Sequence, residues 1–199
     1  MRRISTVLLL CALALAAGLS IFLWRLGDTL TPAGGPAAIG GPFALTDQNG
    51  HPFTDRNLRG RWVLLYFGYT YCPDVCPTTL ALMEAALTKL GPDAARVVPV
   101  FVTIDPARDT PAVMKTYVAQ FGPRFIGLTG SPAAIAAIAH SYRVYYARHP
   151  LKGGGYSMDH SSVIYLLDPE GRFVKAYDDE SGANAIAGDL KNEIASQQG

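Results

Sequence analysis

The run Trp62-Val63-Leu64-Leu65-Tyr66-Phe67 constrains this chain more than any other feature. It is apolar without alternation, so a strand here must be covered on both faces, as in a parallel sheet flanked by helices. Gly68-Tyr69-Thr70-Tyr71-Cys72-Pro73-Asp74-Val75-Cys76-Pro77 follows directly, then helical composition from Thr78 to Leu90, closed by Gly91-Pro92. Pro77 suits the first turn of that helix, where a missing N–H costs nothing. The pattern recurs: a strand over Val97–Ile104, a loop Asp105-Pro106-Ala107-Arg108-Asp109-Thr110, and a helix over Pro111–Phe121. A short strand Phe125–Leu128 and a helix from Ser131 to about His140 come next. Alternating β and α elements predict an α/β domain with parallel strands.

The flanks differ. Asn49-Gly50 between short alternating pieces predicts a β-hairpin over Phe43–Arg59. In the last third, Tyr142–Ala147 reads as a short strand and Lys152-Gly153-Gly154-Gly155 as a loop. Ser162–Leu167 and Arg172–Tyr177 flank the turn Asp168-Pro169-Glu170-Gly171, so they pair antiparallel, and a helix is expected over Ala183–Ala195. A βαβ core, an antiparallel hairpin and a final helix are the thioredoxin-like order. The fold expected is a central mixed sheet flanked by helices, with an extra N-terminal β-hairpin, over residues 42–199.

Ahead of this domain, Met1-Arg2-Arg3 is basic and Val7 to Trp24 is almost wholly apolar until Arg25. About 18–20 helical residues cross a ~30 Å hydrocarbon core, whereas a secretory apolar region is usually only ~7–15 residues long. An uncleaved transmembrane helix over 7–24 is therefore favoured over a signal peptide, since the nearest small-residue match, Ala12-Leu13-Ala14, lies inside the run. Arg2 and Arg3 keep residues 1–6 cytoplasmic, which exports everything after Trp24. Residues 25–41 are rich in Gly, Pro, Ala and Thr and read as a flexible tether. The short basic start leaves no room for an organelle presequence, so the expected location is a bacterial inner membrane with the domain in the periplasm.

The 199 residues carry 17 Lys+Arg against 16 Asp+Glu, a net charge of +1. That allows one domain plus an appendage and excludes an electrostatic nucleic-acid binder, which needs a basic excess on one face. Of the three cysteines, Cys11 lies in the apolar run as a small hydrophobe, leaving Cys72 and Cys76 in the exported part.

Cys72 and Cys76 sit where a buried strand gives way to a helix. A helix N-terminus stabilises thiolate over thiol, and thiolate both attacks disulfides and binds soft metals. An inert disulfide, a redox couple and a metal site all remain open at this point. The third participant is His160, in Met158-Asp159-His160-Ser161 just before Ser162–Leu167. If that strand runs antiparallel to the cysteine-bearing one, its start lies beside the other's end and His160 faces the cysteines. Two thiolates and an imidazole suit copper: the sulfurs favour Cu(I), and nitrogen lets the site also hold Cu(II). A structural zinc site normally takes a fourth protein ligand, which the spacing does not supply. Asp159 reads as an orienting carboxylate for the imidazole or as a turn aspartate. Met158 reads as a gap-filler, with a thioether contact to Cu(I) as the alternative. His51, His140 and His149 have no partner at ligand spacing. Tyr142, Tyr145 and Tyr146 read as buried packing, with a docking surface as the alternative. Asp109-Thr110-Pro111 reads as a helix start, with Asp109 as a cap.

Three ordered motifs, Tyr66 to Pro77, Asp105 to Pro111 and Asp159-His160-Ser161, resemble the SCO/SenC family of copper-binding proteins over roughly Pro42 to Ala195. The resemblance implies a membrane-tethered thioredoxin-like domain that binds copper through Cys72, Cys76 and His160. It also implies help in assembling the binuclear copper centre of cytochrome c oxidase. Partners would then be the copper-accepting oxidase subunit and a copper donor protein or thiol reductant. Cys72 and Cys76 would double as a redox disulfide. Asp105 and Asp109 match the family's acidic loop, where they would meet a partner or hold the loop near the copper face. A thiol–disulfide reductase is the competing function.

Overall fold

The computed structural model describes residues 17–20, 39–178 and 180–197. The expected anchor over 7–24 and tether over 25–41 lie outside the described residues, apart from a helical Ala17–Ser20 and the stretch 39–41. Among the described residues, no helix is long and apolar enough to cross a membrane. The chain divides into two units, residues 1–37 and 38–199, and the second carries every strand of the described residues.

A seven-stranded mixed sheet forms the centre of this second unit. The strands are β1 (Ala44–Asp47), β2 (Pro52–Thr54), β3 (Trp62–Gly68), β4 (Val97–Thr103), β5 (Ile126–Thr129), β8 (Ile164–Leu167) and β9 (Phe173–Tyr177), in the spatial order β2-β1-β5-β4-β3-β8-β9. Every residue of β3 and β4 is buried, and the two run parallel from Trp62↔Val97 to Gly68↔Thr103. That is the reason for the unbroken apolar runs. The hairpin β1–β2 turns at Asn49-Gly50, where the Asp47 carboxylate accepts the Asn49 and His51 amides at 2.8 Å each and Gly50 takes φ +84°. Strand β8 pairs antiparallel with β3 through Tyr66↔Ile164, and β9 pairs antiparallel with β8 past an irregularity at Leu166/Leu167.

Among the described residues, four α-helices accompany the sheet: α1 (Val75–Leu90), α2 (Pro111–Val118), α3 (Pro132–Ser141) and α4 (Ala183–Ser196). Helices α1 and α4 pack together, α2 lies on β5 and α3 on β1. Helix α1 starts three residues before the expected Thr78, which draws Cys76 into its first turn.

Two expectations are corrected by the region after α3. Of the expected strand Tyr142–Ala147, only Tyr146 and Ala147 lie in one: Tyr142 ends α3, buried, and Arg143 takes a left-handed φ of 59° as the chain reverses. The Val144 amide then bonds back to the Ala139 carbonyl at 2.8 Å, a helix stop normally signalled by glycine and here carried by arginine. The strands beyond are β6 (Tyr146–Pro150) and β7 (Tyr156–His160), a two-stranded ribbon outside the central sheet. Its turn is the expected glycine loop. Tyr145 is exposed while Tyr142 is core, so the tyrosines do not form one cluster.

Candidate metal centre

Strand β3 ends at Gly68, and the loop after it turns back on itself through a Cys72 N–H to Tyr69 carbonyl bond of 3.2 Å. Cys76, at the second position of α1, is fully buried, whereas Cys72 is half-buried beside the exposed Tyr71 and Val75. Both are free thiols. Antiparallel pairing of β8 with β3 brings the start of β8, and the end of β7 before it, to this same end of the sheet. His160, the last residue of β7, thus faces Cys76, with Nε2 3.3 Å from Sγ. The donor atoms of Cys72, Cys76 and His160 all lie within 4.8 Å of one another.

The tautomer of His160 follows from its neighbours. Nδ1 lies 3.0 Å from the Ser161 carbonyl, which can only accept, so Nδ1 carries the proton and donates it there. Nε2 keeps its lone pair and turns it toward the sulfurs. The rings of Tyr66 and Tyr69 meet the imidazole edge-on, with centroids 6.1 and 5.9 Å away, and fix its plane.

The two thiols divide one proton between them. A hydrogen bond from the Cys76 thiol is the largest influence on Cys72 and pulls its pKa down to about 5. Burial opposes this, and the amides of Cys76 and Asp74 assist it; the Cys76 N–H lies 3.4 Å from Cys72 Sγ. For Cys76 the same bond and burial both push the pKa up. At neutral pH, Cys72 is therefore the thiolate and Cys76 the thiol that donates to it.

Gly68 is a site residue that sequence reasoning missed. A Cβ there would sit 2.6 Å from Cys76 Sγ and 2.8 Å from Phe101 Cε2. Its only sequence signal is a glycine closing a strand buried on both faces. Gly68→Ala is expected to cost about 1–3 kcal/mol by overpacking and to move Cys76. Urea unfolding reads the first effect, and the titration of the Cys72 thiol reads the second.

Asp105 and Asp109 bond to segments at the cysteine end of the sheet, whereas Asp159 lies apart from His160. Asp109 does not cap α2: Thr110 does, accepting from the Val113 amide at 3.4 Å. Asp109 is instead fully buried and accepts from Thr70 N–H (3.0 Å), Thr70 Oγ (2.6 Å) and Thr103 Oγ (2.5 Å), tying the cysteine loop to the end of β4. Burial, the largest influence on it, raises its pKa. Asp105 is buried and accepts from Arg108 Nε and, at 2.8 Å, from the Tyr156 hydroxyl. Asp159 does not orient His160. Alternation along β7 sends it to the opposite face, where it is exposed and pairs with His149 Nε2 at 2.8 Å. The Ser161 carbonyl does the orienting. Met158 is buried in the hydrophobic core as a gap-filler.

A family profile described as SCO1/SenC matches residues 31–195. The chain belongs to the SCO1/SenC family. It is 45% identical to "Protein SCO1 homolog 1, mitochondrial" of Arabidopsis thaliana, over 82% of this chain and 49% of that protein. It thus spans about half the length of this relative, and 57% and 64% of two further mitochondrial ones, from yeast and mouse. A SCO2-like protein of Rickettsia prowazekii is 38% identical and matches nearly end to end, over 96% of this chain and 97% of that one. Among solved structures, Bradyrhizobium japonicum ScoI with copper bound superposes with a TM-score of 0.73 at 50% identity, covering 78% of this chain and 99% of that chain. BsSco, described as a member of the Sco family of cytochrome c oxidase assembly proteins and carrying a disulfide switch, superposes at 0.63 and 27% identity. It is covered over 94% of its length and 78% of this chain. The thioredoxin-like Sco fold is thus the fold of this SCO1/SenC member.

Proposed function

We propose that this SCO1/SenC member is a copper metallochaperone that binds copper through Cys72, Cys76 and His160 and delivers it to the copper-accepting subunit of cytochrome c oxidase. The observation that carries the reading is the convergence of two sulfurs and one imidazole nitrogen within 4.8 Å, a donor set suited to Cu(I) with room for Cu(II). The half-buried Cys72 thiolate would receive the ion, Cys76 would release its proton to water to join, and Nε2 of His160 would complete a three-donor site. Transfer then proceeds by ligand exchange with an acceptor's own thiolates. A copper donor protein or thiol reductant would supply the loaded, reduced state. Residues 7–24 would anchor the chain in a bacterial inner membrane, with residues 25–41 as tether and the domain on the periplasmic side. The apolar run between Arg3 and Arg25 supports this placement.

Titration of the reduced full chain with Cu(I) is expected to saturate at one ion per chain, and Cys72→Ser/Cys76→Ser is expected to abolish binding and, in cells, oxidase activity. Copper binding by the double variant equal to that of the parent would refute the reading.

One observation favours a second reading, a thiol–disulfide reductase that keeps an oxidase subunit's cysteines reduced. An accessible thiolate beside a buried thiol is the pairing such chemistry uses. Cys72 would attack one sulfur of the partner's disulfide and expel the other as a thiolate. Cys76, its proton passed to that expelled thiolate, would then attack Cys72 Sγ in the mixed disulfide and release the partner's second sulfur as a thiolate, leaving Cys72–Cys76 oxidised and the partner dithiol reduced.

A further inference from the structure

His160 sits on a ribbon that belongs to neither the central sheet nor a helix, so something outside the ribbon must fix its distance from the cysteines. We propose that Arg108 is that positioning residue, clamping β7 to the body of the domain so that His160 Nε2 faces Cys76.

Tyr156, Met158 and His160 alternate along β7 and share one of its faces. Met158 is buried between the other two, and Tyr156 lies about 13 Å up the strand from His160 at ~3.3 Å per residue. The face that presents the imidazole to Cys76 therefore presents the phenol to the loop between β4 and α2. That loop grips Tyr156 twice. Its hydroxyl donates to Asp105 Oδ1 at 2.8 Å, and its carbonyl accepts from Arg108 Nη1 at 2.9 Å. Arg108 Nε in turn donates to Asp105, and the Asp105 amide is held by Thr103 Oγ at 2.9 Å. The guanidinium also lies over three rings: Tyr156 at 3.8 Å, Tyr71 at 4.7 Å and Tyr69 at 5.7 Å. Tyr69 and Tyr71 belong to the cysteine loop. One planar group thus touches both the segment that carries the sulfurs and the strand that carries the nitrogen.

Other charged contacts of the ribbon are internal to it. Arg148 lies 3.4 Å from the Tyr156 ring centroid and His149 pairs with Asp159. Among the described residues, Asp105 and Arg108 are the charged side chains that bond the ribbon from outside. The fork geometry is essential: a lysine keeps the positive charge beside Asp105 but cannot donate to Asp105 and to the Tyr156 carbonyl while stacking flat on the rings.

The clamp can be tested without copper, and its second readout alone rests on the copper-site reading. Arg108→Lys and Tyr156→Phe, made in the full chain, are compared with the parent by hydrogen exchange in the reduced, metal-free state. Loss of charge-assisted bonds is expected to speed exchange of the Tyr156–His160 amides about tenfold in Arg108→Lys. A smaller increase is expected in Tyr156→Phe, which keeps the ring and loses only the hydroxyl, and β3 and β4 should be unchanged in both. With Cu(II) bound, both variants should weaken the nitrogen hyperfine coupling of His160 in the electron paramagnetic resonance spectrum while the sulfur-to-copper absorption persists. Unchanged ribbon exchange in both variants overturns the proposal. So does faster exchange spread over the whole domain, which would make Arg108 a general stabiliser. A parent chain that shows no nitrogen coupling at all strikes the copper-site reading, and the exchange result then decides the clamp by itself.

Discussion

Replacing His160 with alanine is expected to lower Cu(II) affinity by more than about 100-fold, beyond the 10–100-fold typical of losing a group that merely supports a ligand. Nε2 is the nitrogen donor of the cluster, and its lone pair is aimed at the sulfurs because the Ser161 carbonyl holds the proton on Nδ1. Cu(I) should suffer less, since two thiolates still satisfy a soft ion. Competition titration against a chelator of known affinity, run separately for the two oxidation states, measures both effects. Equal Cu(II) binding with and without the imidazole would end the three-donor account. The same variant separates the two functions. A chaperone would lose oxidase assembly in cells, whereas a reductase, whose two sulfurs remain, would still reduce a model disulfide at nearly the parent rate.

The second large effect is in pH. Because the Cys72 pKa is lowered to about 5, its nucleophilic form is present above that value and lost as pH falls through it. Iodoacetamide should therefore modify Cys72 with a rate midpoint near pH 5, where an ordinary thiol, at about 8.5, would be a few per cent ionised even at neutrality. Cys76, pushed upward and buried, should stay unmodified across the range. Cys76→Ala removes the largest cause of the shift and should move the Cys72 midpoint upward. A midpoint near 8.5 in the parent would remove the division of labour between the two thiols.

The legible parts of this structure are those that a local pattern encodes. Trp62–Phe67 has to be a strand covered on both faces, Asn49-Gly50 has to turn, and the antiparallel return of Ser162–Leu167 is enough to bring His160 to the cysteine end of the sheet. What could not be read depends on partners remote in sequence. The ribbon strands Tyr146–Pro150 and Tyr156–His160 are five residues each and only partly buried; the first shows no apolar alternation, and the alternation of the second, Tyr156 and Met158 against Ser157 and Asp159, is too short to announce a strand. Arg143 ends a helix in a conformation that sequence rules reserve for glycine. Asp109 sits in what looks like a helix cap, yet its partners, Thr70 and Thr103, come from two other segments. Asp159 is separated from His160 by the two-residue period of a strand that the sequence does not reveal.

The sheet order places β2 and β9 at its open edges, and both are poor templates for another strand. Strand β2 is three residues long and begins with Pro52, which has no amide proton to donate. Strand β9 is bent by the irregularity opposite Leu166/Leu167 and carries Lys175, held by Asp189 at 2.5 Å. Unpaired strand edges are where folded proteins ordinarily stick to their own copies. Copies crowded onto a two-dimensional surface, as the proposed anchor would arrange them, would meet edge to edge far more often than in free solution, and this sheet offers such encounters little to extend.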